Sequence, residues 1–268
     1  MDKIKPEWKK RGFVSNEEIS FFESLSDSEI NELLHSNEAT ERTTAASILG
    51  KRRISGSIFP LIEALKKEKA LYSKIAISEA LGNMGEAAAL ELVPVFGKIG
   101  TNQHKTLPTN PFEKWNYPLP RDIVARTVTK IGETALAPIL QSIPKMEKEA
   151  LSEAIDAIGF ISFYSKNKSG FRPIINLLNI YKNDDLIVWK IIRALQSFPS
   201  AETEKTLEHH LVKHSQPAIK WEAARSLGQI CKNIHECLLK ASNSQDELLK
   251  SISLLAIKRI TGKNDTLQ

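Results

Sequence analysis

The chain has 268 residues, 41% of them hydrophobic, with 12 glycines and 12 prolines. That is long for one compact core, ordinary for one elongated repeat domain, and too poor in Gly and Pro for a low-complexity chain. Its 37 basic and 32 acidic residues give a net charge of +5; the two signs are interspersed, so solubility alone accounts for the excess and no nucleic-acid partner is required.

The start, residues 1–13, carries lysines but no following apolar run of signal-peptide length, and no later run approaches a membrane span. The two cysteines, Cys231 and Cys237, fit neither a disulfide framework nor a CxxC motif. These features predict a cytoplasmic protein with reduced thiols.

In chain order, residues 1–36 read as a basic leader followed by capping helices. Ser15 with Glu18, and Ser26 with Glu29, each place a serine N-cap three residues before a glutamate. Reciprocal hydrogen bonds there satisfy backbone donors that a helix start leaves unpaired. The second box opens a helix carrying Ile30, Leu33 and Leu34.

From residue 37 to 262 one pattern recurs: a short helix rich in small residues that ends in an aliphatic residue and glycine. Its copies end at Leu49-Gly50, Leu81-Gly82, Ile131-Gly132, Ile158-Gly159 and Leu227-Gly228, with degenerate copies at Leu195-Gln196 and Ile260-Thr261. Successive second positions differ by 32, 50, 27, 37, 32 and 33 residues. A period near 32 made of two helices is the signature of an α-solenoid, and the value of 50 is one period plus an insertion. Small residues such as Ala46, Ala80 and Ala224 allow close helix approach, and the glycine offers a left-handed helix end.

A second helix follows each anchor, with Pro60, Pro138 and Pro173 early, where a missing N–H costs little. Pro94 falls deeper and predicts a kink or a shifted boundary. No run alternates with period two, so no sheet is expected. Residues 263–268 read as a tail.

The A-x-x-L-G helix ends, the following Pro60-Leu-Ile-Glu-Ala-Leu65 segment and the 32-residue period resemble the HEAT-repeat superfamily, and within it the short repeats named from phycobilisome bilin lyases. The resemblance covers roughly residues 26–262 and implies an all-α superhelix of six to seven helix pairs. It specifies a fold and says little about activity. It further implies that the glycine-terminated helices line a concave face.

Counting back from the glycine, positions −3, −7 and −10 share one helical stripe. The sixth copy places Arg225, Trp221 and Ala218 there, and the fifth places Arg193, Trp189 and Leu186. The fourth places Asp156, Ser152 and Glu149, with Glu153 beside them. On one reading Trp189, Arg193, Trp221, Arg225, Asp156 and Glu153 form a ligand-facing stripe, and Trp189→Ala is structurally silent. On the other the tryptophans are packed between repeats and their loss is costly.

The insertion, residues 100–120, has prolines that forbid a continuous helix, while Phe112, Trp115 and Tyr117 are more apolar than a spacer needs. It is either a projecting binding loop or a lid folded back on the stack. His210 and His214, four apart, have a zinc-compatible spacing but lack a third ligand at a recognisable distance.

No phosphate loop, nucleophile elbow or CxxC pair occurs. The expectation is a non-enzymatic scaffold without cofactor or metal that binds a protein or peptide. The alternatives are nucleic-acid binding, including the DNA-glycosylase-like chemistry of related superhelical proteins, and bilin-lyase-like handling of a chromophore.

Overall fold

The computed structural model describes residues 5–265. The first four residues of the leader and the last three of the tail lie outside them. All regular structure among the described residues is helical, with no strand. The fold is all-α, as the sequence predicts. No described helix is long and apolar enough to cross a membrane.

The chain divides into two compact units: Met1–Asn102 with Asp122–Ala150, and Gln103–Arg121 with Leu151–Gln268. The first holds α1 Pro6–Lys10, α2 Asn16–Ser20, α3 Asp27–Leu33, α4 Ala39–Arg52, α5 Ile58–Lys67, α6 Leu71–Asn83, α7 Glu86–Leu92, α8 Ile123–Ile131 and α9 Leu136–Ser142. Both expected capping boxes are formed, at Ser15/Glu18 and Ser26/Glu29. Helices α4, α6 and α8 pack side by side, and α3, α5 and α7 pack against them as a second layer.

α10, Lys148–Ser165, runs on into the second unit from Leu151. That unit continues with α11 Phe171–Ile180, α12 Asp185–Leu195, α13 Ala201–Lys213, α14 Pro217–Ile230, α15 Glu236–Ala241 and α16 Glu247–Asp265. Here α12, α14 and α16 form one layer and α11, α13 and α15 the other. The same two-layer stacking of helix pairs thus appears within each unit.

Pro60, Pro138 and Pro173 are each the third residue of their helix, where the N–H has no intrahelical acceptor to lose. Pro94 ends α7: the helix stops at Leu92 and a 3₁₀ turn, Val93–Val95, follows.

The recurring glycines act differently from the sequence expectation. Only Gly132 among the anchors has a positive φ, +80°. Gly50, Gly82, Gly159 and Gly228 lie inside their helices. Their role is close approach of neighbouring helices. A Cβ on Gly50 would stand 2.5 Å from the Cα of Ala80, and one on Gly228 2.7 Å from that of Ala256. Both distances are inside van der Waals contact, so the next helix in the layer would have to move away.

Candidate functional site

The second unit contains the whole stripe and, folded over it, the insertion from Gln103 to Arg121. Position −6, three residues from −3 and therefore on the same helix face, adds charges that the count by −3 and −7 omits. α10 presents Glu153 and Asp156, α12 presents Lys190 and Arg193, and α14 presents Glu222 and Arg225. All six are buried, Lys190 and Arg225 completely.

They are cross-linked from helix to helix. Lys190 Nζ donates to Glu153 Oε1 at 2.8 Å and to the Ser152 carbonyl at 3.1 Å, and lies 3.0 Å from Asp156 Oδ2. Arg193 donates through Nε and Nη2 to Glu222 Oε2, at 3.2 and 3.1 Å. Arg225 Nη1 donates to Glu222 Oε1 at 2.8 Å. Burial alone would raise the Glu222 carboxyl, but the two guanidiniums outweigh it and hold it below the usual carboxylate value of 4.5.

The tryptophans are not an exposed ladder. Trp189 is 1% and Trp221 7% exposed. The Arg193 guanidinium stacks on Trp189, 3.9 Å from the ring centroid, and the Trp221 indole N–H donates to Asp246 Oδ2 at 3.2 Å. The Trp189 indole N–H is buried without a partner. Trp189→Ala is therefore expected to lower stability by about 3 kcal/mol, the low end of the range for a large core aromatic, because the truncation also removes an unpaired donor. Denaturant unfolding measures it; an unchanged midpoint would mean that the ring packs nothing.

The insertion is a lid. Tyr117 is 1% exposed, its ring 6.0 Å from Phe160 and 5.7 Å from Phe163 between centroids. Its hydroxyl lies over Gly159, where a Cβ would come within 2.0 Å of it. Burial, reinforced by Asp156, pushes the Tyr117 pKa well up. The Arg225 guanidinium faces the Phe112 ring, 5.0 Å from its centroid, and donates through Nη2 to the Asn116 carbonyl at 3.0 Å. Gln229 Nε2 donates to the Trp115 carbonyl at 2.5 Å. Arg259, from α16, stacks on Trp115 at 4.8 Å and donates to the Glu113 carbonyl. Phe112 is half-buried and Trp115 54% exposed, so of the three aromatics singled out in the insertion Tyr117 is the anchor and Trp115 a partly open flap.

Between lid and stripe lies a cavity of about 310 Å³, walled by Trp189, Trp221 and Phe112 and lined by Arg193, Arg225, Glu222 and His104. His104, from the lid, meets Trp189 edge-on at 5.0 Å. Burial lowers its pKa to about 4, so it is neutral at pH 7. Within the walls Arg225 Nε and His104 Nδ1 lack partners, like the Trp189 indole N–H. Among the described residues, the buried charges of this unit are four cations, Lys190, Arg193, Arg225 and Arg259, and three carboxylates, Glu153, Asp156 and Glu222. The six on α10, α12 and α14 balance, and Arg259 faces Trp115; on the cavity lining the buried Arg193 and Arg225 share one carboxylate, Glu222.

Position −6 is readable at the repeat spacing through Glu222 and Lys190, whereas the lid's His104 resembles any polar loop residue. Among the described residues the His210/His214 pair gathers no third metal-ligating side chain. The rings stack at 5.8 Å, His210 Nδ1 contacts the Thr206 carbonyl at 2.8 Å, and His214 Nδ1 accepts from the Gln216 N–H at 3.1 Å.

No family model matches the chain, and no curated protein matches it. Among solved structures it is similar to the crystal structure of an engineered protein from the Northeast Structural Genomics Consortium, at 15% identity and a TM-score of 0.42, over 88% of this chain and 68% of that one.

Proposed function

We propose that the chain is a non-enzymatic binding protein of the HEAT-repeat type, and that its lidded cavity receives one carboxylate-bearing residue of a protein partner. The observation that carries this reading is the pairing of aromatic walls with two buried guanidiniums, Arg193 and Arg225, that share the single carboxylate Glu222, together with two donors without acceptors, on Trp189 and Arg225. An incoming carboxylate supplies both the acceptor and the counter-charge. The volume, about 310 Å³, is at the small end for ligand sites and suits a single residue better than a tetrapyrrole. Arg193 and Arg225 are engaged by Glu222 rather than displayed on a surface, which weighs against a phosphate-backbone track.

The test is selection from a random peptide library displayed with free C-termini, followed by calorimetry on the recovered sequences. Enrichment of an Asp, Glu or C-terminal carboxylate is expected. Trp189→Phe, which keeps an aromatic wall and deletes the N–H, should weaken binding about tenfold or more, the worth of one charged hydrogen bond. Its melting temperature should change little, since an unpaired donor is lost along with some packing. Failure to recover any sequence, affinity indifferent to Trp189→Phe, or binding that duplex DNA displaces with a steep salt dependence would overturn the proposal.

A further inference from the structure

Away from the lid, α13 and the turn between α14 and α15 bring together a mixed set of metal-ligating side chains. Glu204 and Glu208 are four residues apart on α13, hence on one helical face. Cys231 is the C-cap of α14 and His235 the N-cap of α15, so the two are separated by a three-residue turn. A carboxylate oxygen of Glu204, the Cys231 Sγ and a ring nitrogen of His235 all lie within 4.8 Å of one another.

The two histidine nitrogens have different neighbours. Nδ1 contacts Glu208 Oε1, and Nε2 faces Glu204 Oε2 at 3.5 Å. A carboxylate on Nδ1 fixes the tautomer that leaves the Nε2 lone pair for a metal, which is how carboxylates commonly support metal-bound histidines. The edges of a tetrahedral zinc site with thiolate, imidazole and carboxylate ligands are about 3.3–3.6 Å, so the 3.5 Å between Nε2 and Glu204 Oε2 is already a ligand spacing. One thiolate, one imidazole and one carboxylate suit borderline-soft Zn²⁺ better than Mg²⁺ or Ca²⁺, which want oxygen alone. Cys231 is buried, whereas His235 and Glu204 are 23% and 32% exposed in their side chains, so the ligands span the boundary between core and solvent.

We propose that Glu204, Cys231 and His235 bind a zinc ion, with Glu208 orienting His235 from behind and water completing the tetrahedron. Binding deprotonates the Cys231 thiol, and that proton passes to solvent. The ion ties α13 to the α14–α15 turn.

Titration of the metal-free full chain with Zn²⁺, by competition with a chromophoric chelator, should give one equivalent bound. Co²⁺ in its place should produce a thiolate-to-metal charge-transfer band and the visible bands of a four-coordinate ion. Cys231→Ser should abolish the charge-transfer band and weaken Zn²⁺ binding at least tenfold, and Glu208→Gln should weaken it by about tenfold while keeping the band. His210→Ala should change neither. Circular dichroism of each variant separates lost ligation from lost folding, and Glu204→Gln, at a partly exposed position, supplies a fold-neutral second variant that should also weaken binding. Absence of a charge-transfer band in the wild-type chain, or Zn²⁺ affinity unchanged in both Cys231→Ser and Glu204→Gln, would overturn the proposal.

Discussion

Replacing Glu222 with alanine should lower stability by about 3–5 kcal/mol or more, the cost of removing one partner from a buried ion pair. The upper side of that range is expected because the same carboxylate serves two guanidiniums, Arg193 through Oε2 and Arg225 through Oε1. Its loss strands both, in a unit whose buried charges already lean positive. The penalty should depend on pH with a definite sign. The folded state holds Glu222 below 4.5, so its contribution is fully present above that value and is lost as pH falls through the lower, folded value. Wild type and Glu222→Ala should therefore be furthest apart at neutral pH and converge below about pH 4.5, because the mutant has no carboxylate to protonate. Urea unfolding at pH 7 and pH 4 measures both quantities. A difference that stays constant across that range would mean that the carboxylate acts through packing and not through charge.

Deletion of residues 102–118 should destabilise the second unit by more than any single truncation, by about 5 kcal/mol or more when the loss of a large core aromatic is combined with several stranded polar groups. Tyr117 leaves a cavity over Gly159. Arg225, Gln229 and Arg259 lose the carbonyls of Asn116, Trp115 and Glu113. Trp189 loses its contact with His104. Against a typical domain stability of about 5–15 kcal/mol, calorimetry of the deletion chain should show one transition lost or moved far down. Trp115→Ala alone, at a 54% exposed position, should cost no more than about 1 kcal/mol. A deletion variant that melts like the parent would mean that the insertion adds nothing to the core.

Most of the helical framework was legible because it is written locally. The Leu-Gly ends mark α4, α6 and α14 to within a few residues, and the two capping boxes mark α2 and α3. The glycines were found for the wrong reason. A backbone signal for a helix end and a steric signal for close helix approach use the same residue, and only the neighbour, Ala80 or Ala256, separates them.

The stripe was legible as a list of positions and not as an environment. Trp189, Arg193, Trp221 and Arg225 repeat at the −7 and −3 positions of adjacent copies, yet nothing nearby in sequence says they are covered. What covers them is held by Arg225, Gln229 and Arg259 across separations of 109, 114 and 146 residues. The aromatic content of the insertion hints at a lid. Which surface it closes is a property of the folded chain alone.

The buried charges along α10, α12 and α14 carry one further consequence. Each helix bears a different signature at the same two positions: two acids, then two bases, then an acid with a base. Aliphatic repeat faces are chemically alike and do little to distinguish the correct neighbouring helix from the one a repeat further along, which a slip would bring into contact. Here such a slip would set Glu153 and Asp156 against Glu222 and leave Lys190 without its acids, a like-charge contact in a medium that barely screens it. The ladder thus works as an address, fixing which helix follows which.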